Sequence, residues 1–300
     1  MKFSIVTPVL NGEKYIARTI ESVISQEGDF EIEYIIQDGL SSDSTKDIVS
    51  SYRERLKDKT FPIRSRGVTI IWNSEKDVNS SVAINRGFTH ATGEIQALIP
   101  GDDIFFPGSF KIVAETFKKF PDVKWLCGIS EIIDENDKIT RHGKCLLFRR
   151  DWLAKGVYGR NSYFVPFNAL FWKSELWEKA GCFKEDCELA GDYGLLIKFA
   201  KHEKLWSLNF PVSAFRRTPG QLSENIKLYK SEQQLILPQT KYSNFFIRAF
   251  FSAQSRLNPR FQNFFLSLYR VVFLEKDMEY IDVENNSPIK KPAYSYIAKK

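Results

Sequence analysis

The chain has 300 residues, of which 43% are hydrophobic and 27% are charged, and its formal net charge is +6. This composition can fill the core of one large domain with an appendage, and it excludes a chain that is disordered throughout. No stretch approaches the roughly 20 uncharged apolar residues of a membrane-spanning helix, and the first residues resemble a strand rather than a signal peptide. We therefore expect a cytoplasmic protein.

The cysteines and histidines do not have the spacing of a metal centre. The pattern Cys-x-x-Cys does not occur, and the three histidines are scattered along the chain. We expect reduced thiols and no structural zinc at these residues, which are Cys127, Cys145, Cys182, Cys187, His90, His142 and His202.

The first third of the chain alternates between strand and helix patterns. A strand is predicted at residues 3–9, and the helix after it has an apolar stripe with Asn11 as its expected cap. Further strands are predicted at 32–37, 68–72 and 94–99, with helices between them. Repeated strand–helix–strand units connect by right-handed crossovers. The sequence therefore predicts an α/β fold with a mainly parallel sheet flanked by helices.

Polar residues follow the ends of these strands. Parallel strands place their carboxyl ends at one edge of the sheet, where doubly wound folds bind their ligands. Two adjacent carboxylates repel each other, and a divalent cation or sugar hydroxyls would make such a pair tolerable. The alternative is an Asp-rich turn whose second acid only caps the next helix. The residues expected at this edge are Thr7, Pro8, Asp38, Glu75, Asp77, Asp102 and Asp103.

Glycine-rich phosphate loops do not occur in the sequence. No Gly-x-Gly-x-x-Gly follows the first strand, and the pattern Gly-x-x-x-x-Gly-Lys is absent from the chain. Their absence argues against a dinucleotide site and against a P-loop site. A nucleotide bound at the acidic edge would therefore need a metal ion for its phosphates.

A candidate catalytic acid lies in the second half of the chain. Asp192 precedes an apolar pattern formed by Leu195, Leu196 and Phe199, so we expect it at the start of a helix with its carboxylate free to project. The alternative is a simple helix cap. Glu188 is the second candidate for the same role.

The basic character of the chain belongs to its C-terminal part. Ten Lys or Arg and five Asp or Glu lie between Lys241 and Lys300, which accounts for five of the six net positive charges. Aromatic residues recur at helical spacing from Tyr242 to Phe273 with arginines between them, as in helices that lie on an anionic membrane. A helical pair packed on the domain or on a second subunit has the same pattern. Nucleic acid is a weaker alternative, because no recognition motif accompanies the charge.

Four motifs in chain order resemble those of family 2 inverting glycosyltransferases, which have the nucleotide-sugar-binding fold called GT-A. They are FSIVTPVLNG at 3–12, QDGLSSDST at 37–45, the NRG and ATGE pair within 85–94, and GDDIFFPG at 101–108. The resemblance extends to about residue 223. It departs from the family at Gly101, where Ser or Asn is frequent, and this leaves the metal preference open.

The resemblance implies roles for the acidic edge. Thr7, Pro8 and Asp38 would contact the base and ribose of a nucleoside diphosphate sugar, and Asp102 would bind the ribose or the sugar. Asp103 would ligate Mn²⁺ or Mg²⁺ on the diphosphate. Asp192 would be the catalytic base of the family, and Glu185 would order the loop before it. The further residues expected to bind the nucleotide sugar are Asp77, Asn85 and Arg216. For Arg216, the alternative is that it lies in a solvated turn and binds no ligand.

The predicted organisation is a GT-A domain at 1–223, with a nucleotide-sugar half at 1–108 and an acceptor half at 109–223. A basic aromatic helical extension would follow at 224–300. The resemblance implies metal-dependent, inverting transfer of a single sugar, with a UDP-sugar favoured, in bacterial cell-surface polysaccharide or glycolipid synthesis. The aromatic segment 158–172 would face the saccharide or lipid-linked acceptor. A nucleotidyltransferase and a non-catalytic nucleotide-sugar-binding protein are the alternatives.

Overall fold

The computed structural model describes residues 1–159, 164–238, 278–293 and 295. These residues form one large sheet flanked by helices. The strands are β1 (Lys2–Val9), β2 (Glu31–Asp38), β3 (Gly67–Ser74), β4 (Ile95–Leu98), β5 (Ile104–Phe105), β6 (Trp125–Ile133), β7 (Ile139–Arg141), β8 (Leu170–Lys173), β9 (Leu205–Arg216), β10 (Glu279–Glu284) and β11 (Ser287–Pro292). The helices are α1 (Ile16–Ile24), α2 (Thr45–Lys57), α3 (Ser80–Thr89), α4 (Ser109–Lys119), α5 (Arg150–Ala154), α6 (Ser174–Ala180), α7 (Gly191–His202) and α8 (Ile226–Ile236).

The sheet joins two parallel blocks through one antiparallel strand. Its order is β11-β10-β9-β6-β8-β4-β1-β2-β3, with β5 beside β9 and β7 beside β6. Strands β1 to β4 are parallel to one another, as are β6, β9 and β10. Strand β8 pairs antiparallel with both β4 and β6. The predicted α/β class is confirmed, and we call the edge where β1 to β4 end the carboxyl edge.

The central strands are buried almost completely. In β2 only the first residue is exposed, which is the pattern of a parallel strand with helices on both faces. Helix α1 turns one apolar stripe to this core through Ile16, Ile20, Val23 and Ile24. All four strands predicted in the first third of the chain are confirmed, with ends that differ by at most two residues.

The expected cap of α1 was wrong. Asn11 lies in the left-handed region with a φ of 51°, and α1 begins at Ile16. Its Oδ1 instead accepts a hydrogen bond from the backbone N–H of Ser42 at 2.9 Å. A short amide side chain tolerates this backbone conformation, so Asn11 ties the turn after β1 to the turn after β2.

The C-terminal extension is not helical throughout. Residues 226–236 form α8, whereas residues 279–292 form a hairpin whose first strand pairs with β9 and joins the sheet. The turn contains Asn285 and Asn286 with φ values of 49° and 58°, as the tight turns between hairpin strands require. The predicted aromatic helices at 242–273 lie outside the described residues. Among the helices of the described part, none is long and apolar enough to cross a membrane.

Glu33 connects the amino-terminal ends of β1, β2 and β4, on the side of the sheet opposite the carboxyl edge. Its buried carboxylate accepts hydrogen bonds from the Ser4 hydroxyl at 2.5 Å and from the Thr92 N–H at 2.7 Å. The adjacent Gly93 donates its N–H to the Ser4 hydroxyl. The motif at 91–94 therefore fixes the start of β4 against β1 and stands away from the carboxyl edge.

We predict that Gly93→Ala lowers the free energy of unfolding by about 1–3 kcal/mol, because overpacking next to immovable backbone is not relieved. An added Cβ would lie 2.7 Å from the Ser4 nitrogen and 2.8 Å from the Lys2 carbonyl oxygen. Gly67→Ala is the matched control, since nothing lies within 4 Å of its added Cβ. Urea denaturation compares the two variants, and equal midpoints would contradict this account of the edge.

Candidate active site

Asp38 ends β2, and its carboxylate is held by the turn that follows β2 and by the last residue of β3. Its buried carboxylate accepts hydrogen bonds from the Ser41 N–H at 3.1 Å and from the Ser74 hydroxyl at 2.6 Å. Thr7 lies deeper in β1, where it is fully buried and hydrogen bonded to the Tyr34 hydroxyl at 3.0 Å. Pro8, the next residue, is half-buried. The carboxyl edge therefore presents Asp38 and Pro8, with Thr7 beneath them.

Asp77 meets Arg86 on the same side of the sheet. The Arg86 guanidinium is 2.5 Å from Asp77 Oδ1 and 3.4 Å from Glu75 Oε2. The other oxygen, Asp77 Oδ2, is buried without a hydrogen-bond partner among the described residues, and burial raises the pKa of this carboxyl. A buried acceptor without a donor is unfavourable, and ligand sites are where such groups are found.

Apolar side chains surround this acidic corner. Leu10, Leu40 and Val78 are all exposed, and they follow β1, β2 and β3 respectively. A Cβ added to Gly39 would lie 3.5 Å from Leu10 Cδ1 and 3.7 Å from Asp77 Oδ2. Gly39 therefore lies between an apolar side chain and a carboxylate, and a larger residue there would contact both.

The two adjacent acids after β4 have opposite environments. Asp103 is 0% exposed, and its oxygens accept hydrogen bonds from the Asn168 amide at 2.9 Å and from the Arg216 N–H at 2.8 Å. Burial, and then the neighbouring Asp102 carboxylate, raise the pKa of Asp103 well above its usual range. Asp102 is only half-buried, and its Oδ2 accepts a hydrogen bond from the Gln221 amide at 2.9 Å. Asp102 is therefore the acid that reaches the carboxyl edge.

Arg216 does not offer its charge to a ligand. Its guanidinium is fully buried, and it donates to the carbonyl oxygens of Asp102 and Asp134, each at 2.7 Å, and to the Asp137 carboxylate. Its guanidinium carbon lies 4.5 Å from the centre of the Tyr15 ring. These contacts join Arg216 to the turn after β4 and to the turn between β6 and β7, so the buried side chain is neither open to a nucleotide sugar nor part of a solvated turn, as the sequence had led us to expect.

The fit of a divalent cation differs between the two acids. Asp103 does not suit it, because both of its oxygens already accept hydrogen bonds in a closed core. Within the described residues, no group of three His, Cys, Asp or Glu side chains could hold a metal ion. Mg²⁺ needs only one or two carboxylates when substrate phosphates supply its other ligands. Asp102 fits that requirement, since its Oδ1 makes no hydrogen bond to another described residue.

Asp192 lies in the first turn of α7, as predicted. Its Oδ1 accepts hydrogen bonds from the Tyr193 N–H at 2.6 Å and from the Tyr229 hydroxyl at 3.2 Å, whereas Oδ2 makes none to another described residue. Burial raises the pKa of Asp192 to about 6, and the Glu232 carboxylate adds to this shift. A carboxylate with one open oxygen and this pKa is suited to accept a proton near neutral pH.

The loop before Asp192 is attached to the start of α3. Asn79, Ser80 and Ser81 donate side-chain hydrogen bonds to three carbonyl oxygens of this loop, at distances of 2.7, 2.9 and 2.8 Å. The acceptors are the carbonyl groups of Glu185, Glu188 and Cys187. Because α3 begins after β3 ends, these bonds place the start of α7 at the carboxyl edge.

Asn85 and Glu185 belong to the same attachment. The Asn85 amide donates to the Phe183 carbonyl oxygen at 3.0 Å and to Glu185 Oε1 at 3.1 Å, and it accepts from the Phe183 N–H at 2.9 Å. Asn85 is thus occupied by the loop rather than open to a nucleotide. Glu185 orders the loop, as expected, and Glu188 is exposed with its N–H bound by Glu232.

The expected acceptor segment contributes little open surface. Tyr158 is buried, with its hydroxyl accepting the Arg149 N–H at 3.0 Å, and Trp172 lies in the core. Phe164 is 53% exposed, and its ring centre lies 5.6 Å from that of Tyr229. Asn161 and Tyr163 lie outside the described residues. Among the described residues of this segment, Phe164 is an exposed aromatic residue next to Tyr229, which donates a hydrogen bond to Asp192.

Several residues of the site were not singled out from the sequence. Arg86 stood within the quoted motif at 85–87, and its charge at the edge was the available signal. The others act through partners distant along the chain, and no spacing in the sequence indicates them. They are Gln221, Tyr229 and Glu232.

The sheet of two parallel blocks, with acids at one carboxyl edge and a separate acid at the start of α7, has the α/β architecture of the GT-A type. The family model Glycosyl transferase family 2 matches residues 4–178, and the chain belongs to this family. The fold agrees with the crystal structure of S. aureus TarS 1-349 in complex with UDP-GlcNAc, with a TM-score of 0.59 at 16% identity. That match covers 89% of this chain and 79% of the other.

Relatives by sequence include bacterial proteins that are named as glycosyltransferases. An uncharacterized glycosyltransferase of Nostoc sp. is 32% identical over 138 residues, which cover 46% of this chain and 39% of that protein. An uncharacterized glycosyltransferase of Rickettsia typhi is 25% identical over 201 residues, covering 66% and 58%. The chain thus spans between about two fifths and three fifths of their lengths. A poly(ribitol-phosphate) beta-N-acetylglucosaminyltransferase, TarS of Staphylococcus aureus, is 42% identical over 68 residues, covering 22% and 12%.

We predict that Asp103→Ala is strongly destabilising and that Asp102→Ala is not. Removing the Asp103 carboxylate leaves the buried donors of Asn168 and Arg216 without acceptors, at about 1–3 kcal/mol for each. Removing the half-exposed Asp102 carboxylate frees only the Gln221 amide, which water can reach. Urea denaturation of both variants measures the difference, and an Asp103→Ala variant as stable as Asp102→Ala would contradict the assignment.

Proposed function

We propose that the chain transfers a sugar from a nucleoside diphosphate sugar to an acceptor hydroxyl with inversion at the anomeric carbon. The observation that carries the proposal is the pairing of two acids at one edge. Asp102 reaches the position expected for the donor, and Asp192 offers an open oxygen with a pKa of about 6. Membership of glycosyl transferase family 2 supports the reaction class.

A UDP-sugar is the donor that the edge favours. The buried carboxylates of Asp38 and Asp77 are hydrogen-bond acceptors, and Asp77 Oδ2 has no donor among the described residues. Uracil carries a proton on N3 and can donate it to such a carboxylate. The complex of TarS with UDP-GlcNAc supports the same choice. Arg86, between Glu75 and Asp77, is the cation nearest to this corner that can exchange partners.

The acidic edge favours a metal ion with the donor. Asp38, Glu75 and Asp77 lie close together there, Asp102 follows β4 at the same edge, and a diphosphate would be repelled by this charge. Asp102 would hold the metal through its open oxygen. A divalent cation bound there would neutralise charge on the departing diphosphate. Mn²⁺ and Mg²⁺ are the ions that oxygen ligands of this type select.

Asp192 supplies the base of the reaction. As the acceptor oxygen forms its bond to the anomeric carbon, Asp192 Oδ2 accepts the hydroxyl proton, and the bond to the diphosphate oxygen breaks. The Tyr229 hydroxyl and the Tyr193 N–H hold Oδ1, so the carboxylate cannot turn its open oxygen away. One displacement by an oxygen opposite the leaving group inverts the anomeric centre.

The acceptor is a saccharide or polyol hydroxyl of a cell-surface polymer or glycolipid. Phe164 supports this choice, because an exposed aromatic face beside the base suits the stacking of a sugar ring. The name of TarS, a poly(ribitol-phosphate) beta-N-acetylglucosaminyltransferase, supports a polymer as the acceptor.

The donor proposal is tested by thermal unfolding with UDP, UDP-sugars and CDP, each with Mn²⁺, with Mg²⁺ and with EDTA. We expect UDP ligands to raise the melting temperature in the presence of metal, because binding to the folded state stabilises it. Asp102→Ala should lose this rise, while Asp58→Ala, at an exposed acid away from the edge, should keep it. Stabilisation of Asp102→Ala equal to wild type would refute the role of Asp102.

The base is tested by Asp192→Asn, which preserves size and removes proton acceptance. We expect donor binding to persist and turnover to fall by about 10²–10⁴-fold. In wild type, Asp192 is protonated below its pKa of about 6 and cannot accept a proton, so turnover should rise with pH through this value and then level off. Full turnover in the variant would remove Asp192 from the mechanism. Donor binding with no sugar transfer or donor hydrolysis in wild type would favour a non-catalytic binding protein.

A further inference from the structure

Glu232 fills the amino end of the helix that carries the catalytic base. Its Oε1 accepts the Glu188 N–H at 2.9 Å, and its Oε2 accepts the Leu189 and Ala190 N–H groups at 2.9 and 2.7 Å. Glu232 is 6% exposed. These are three consecutive backbone donors directly before α7, and the last of them, Ala190, is the cap residue of the helix.

This contact changes what the end of α7 can do. A helix amino terminus with free N–H groups attracts phosphate and other anions. Here a carboxylate from α8 accepts the N–H of the cap residue Ala190 and the two N–H groups before it, so these three groups are not available to another anion. The same carboxylate places a negative charge next to Asp192, and it is one of the groups that raise the pKa of the base.

Helix α8 also contacts Asp192 directly. Its Tyr229 hydroxyl donates to Asp192 Oδ1, and Tyr229 lies one helical turn before Glu232. The groups that face Asp192 from the packed elements are thus Tyr193 of α7 with Tyr229 and Glu232 of α8. Helix α8 lies beyond residue 178, where the match to the family model ends.

We propose that Glu232 is a positioning residue for sugar transfer: it fixes the 188–190 backbone so that Asp192 presents Oδ2 to the acceptor hydroxyl. The inference rests on the proposed function, because it assigns a role relative to the base of that reaction. Glu232 touches neither donor nor acceptor in this arrangement. It acts through the peptide groups that set the direction of the first turn of α7.

The test compares Glu232→Gln and Glu232→Asp with Glu178→Gln, in the full chain. Glu178 is an exposed glutamate of α6 and serves as the matched control. Glu232→Gln removes the charge and puts an N–H₂ group against backbone donors. We expect its kcat to fall by roughly tenfold or more, since a misplacement of the base near 1 Å costs up to about 10²-fold. Donor affinity should stay unchanged, and Glu178→Gln should match wild type throughout.

The pH profile separates positioning from a purely structural role. Without the Glu232 charge, the pKa of Asp192 should fall, so the acid limb of kcat should move to lower pH in Glu232→Gln. Glu232→Asp keeps the charge but shortens the reach, so its kcat should fall while its acid limb stays near that of wild type. These two profiles remain informative if one variant folds poorly, since the other then carries the test.

The outcomes distinguish the inference from the proposed function. If Asp192→Asn is inactive while both Glu232 variants behave like Glu178→Gln, the positioning role is refuted and the base assignment stands. If the Glu232 variants are less stable but keep the kcat and acid limb of wild type, Glu232 is structural only and the inference is wrong. If Asp192→Asn is fully active, the proposed base itself fails.

Discussion

The site depends on the complete burial of one carboxylate. Asp103 bridges the Asn168 amide and the Arg216 N–H, so it joins the turn after β4 to the segment before β8 and to the end of β9. A buried carboxylate is stable only with such donors, and removing either would leave an unpaired polar group in the core. Asp103 turns inward, and its neighbour Asp102 is the half-buried acid of the pair, hydrogen bonded to Gln221. We propose that the burial of Asp103 sets the position of Asp102 at the carboxyl edge.

A second set of contacts fixes Asp192 relative to this edge. The loop at 183–190 is attached to α3 on one side and to Glu232 of α8 on the other. Both attachments use side chains that bond to the backbone of the loop, so the path of the loop is determined by neighbours distant in sequence. Helix α7 inherits its starting direction from this path. The carboxylates of Asp102 and Asp192 therefore belong to one edge although 90 residues separate them in the chain.

Much of the fold could be predicted because local patterns carry it. Apolar runs and helical stripes gave β1 to β4 and their helices, and the acids after these strands indicated the carboxyl edge. Which of the two adjacent acids is buried could not be predicted, since this depends on Asn168 and Arg216, which lie far along the chain. Arg216 illustrates the same limit, because a charged residue at the end of a strand gives no local sign that it will be buried. The hairpin at 279–292 was missed although its Asn285-Asn286 turn was a usable signal.

The most direct test of the different roles proposed for Asp102 and Asp103 is an anomalous difference map from crystals grown with UDP and Mn²⁺. The account predicts that the manganese peak lies at bonding distance from an oxygen of Asp102, while Asp103 keeps its hydrogen bonds to Asn168 and Arg216. A manganese ion bonded to Asp103, with the Asn168 amide released from it, would contradict the account.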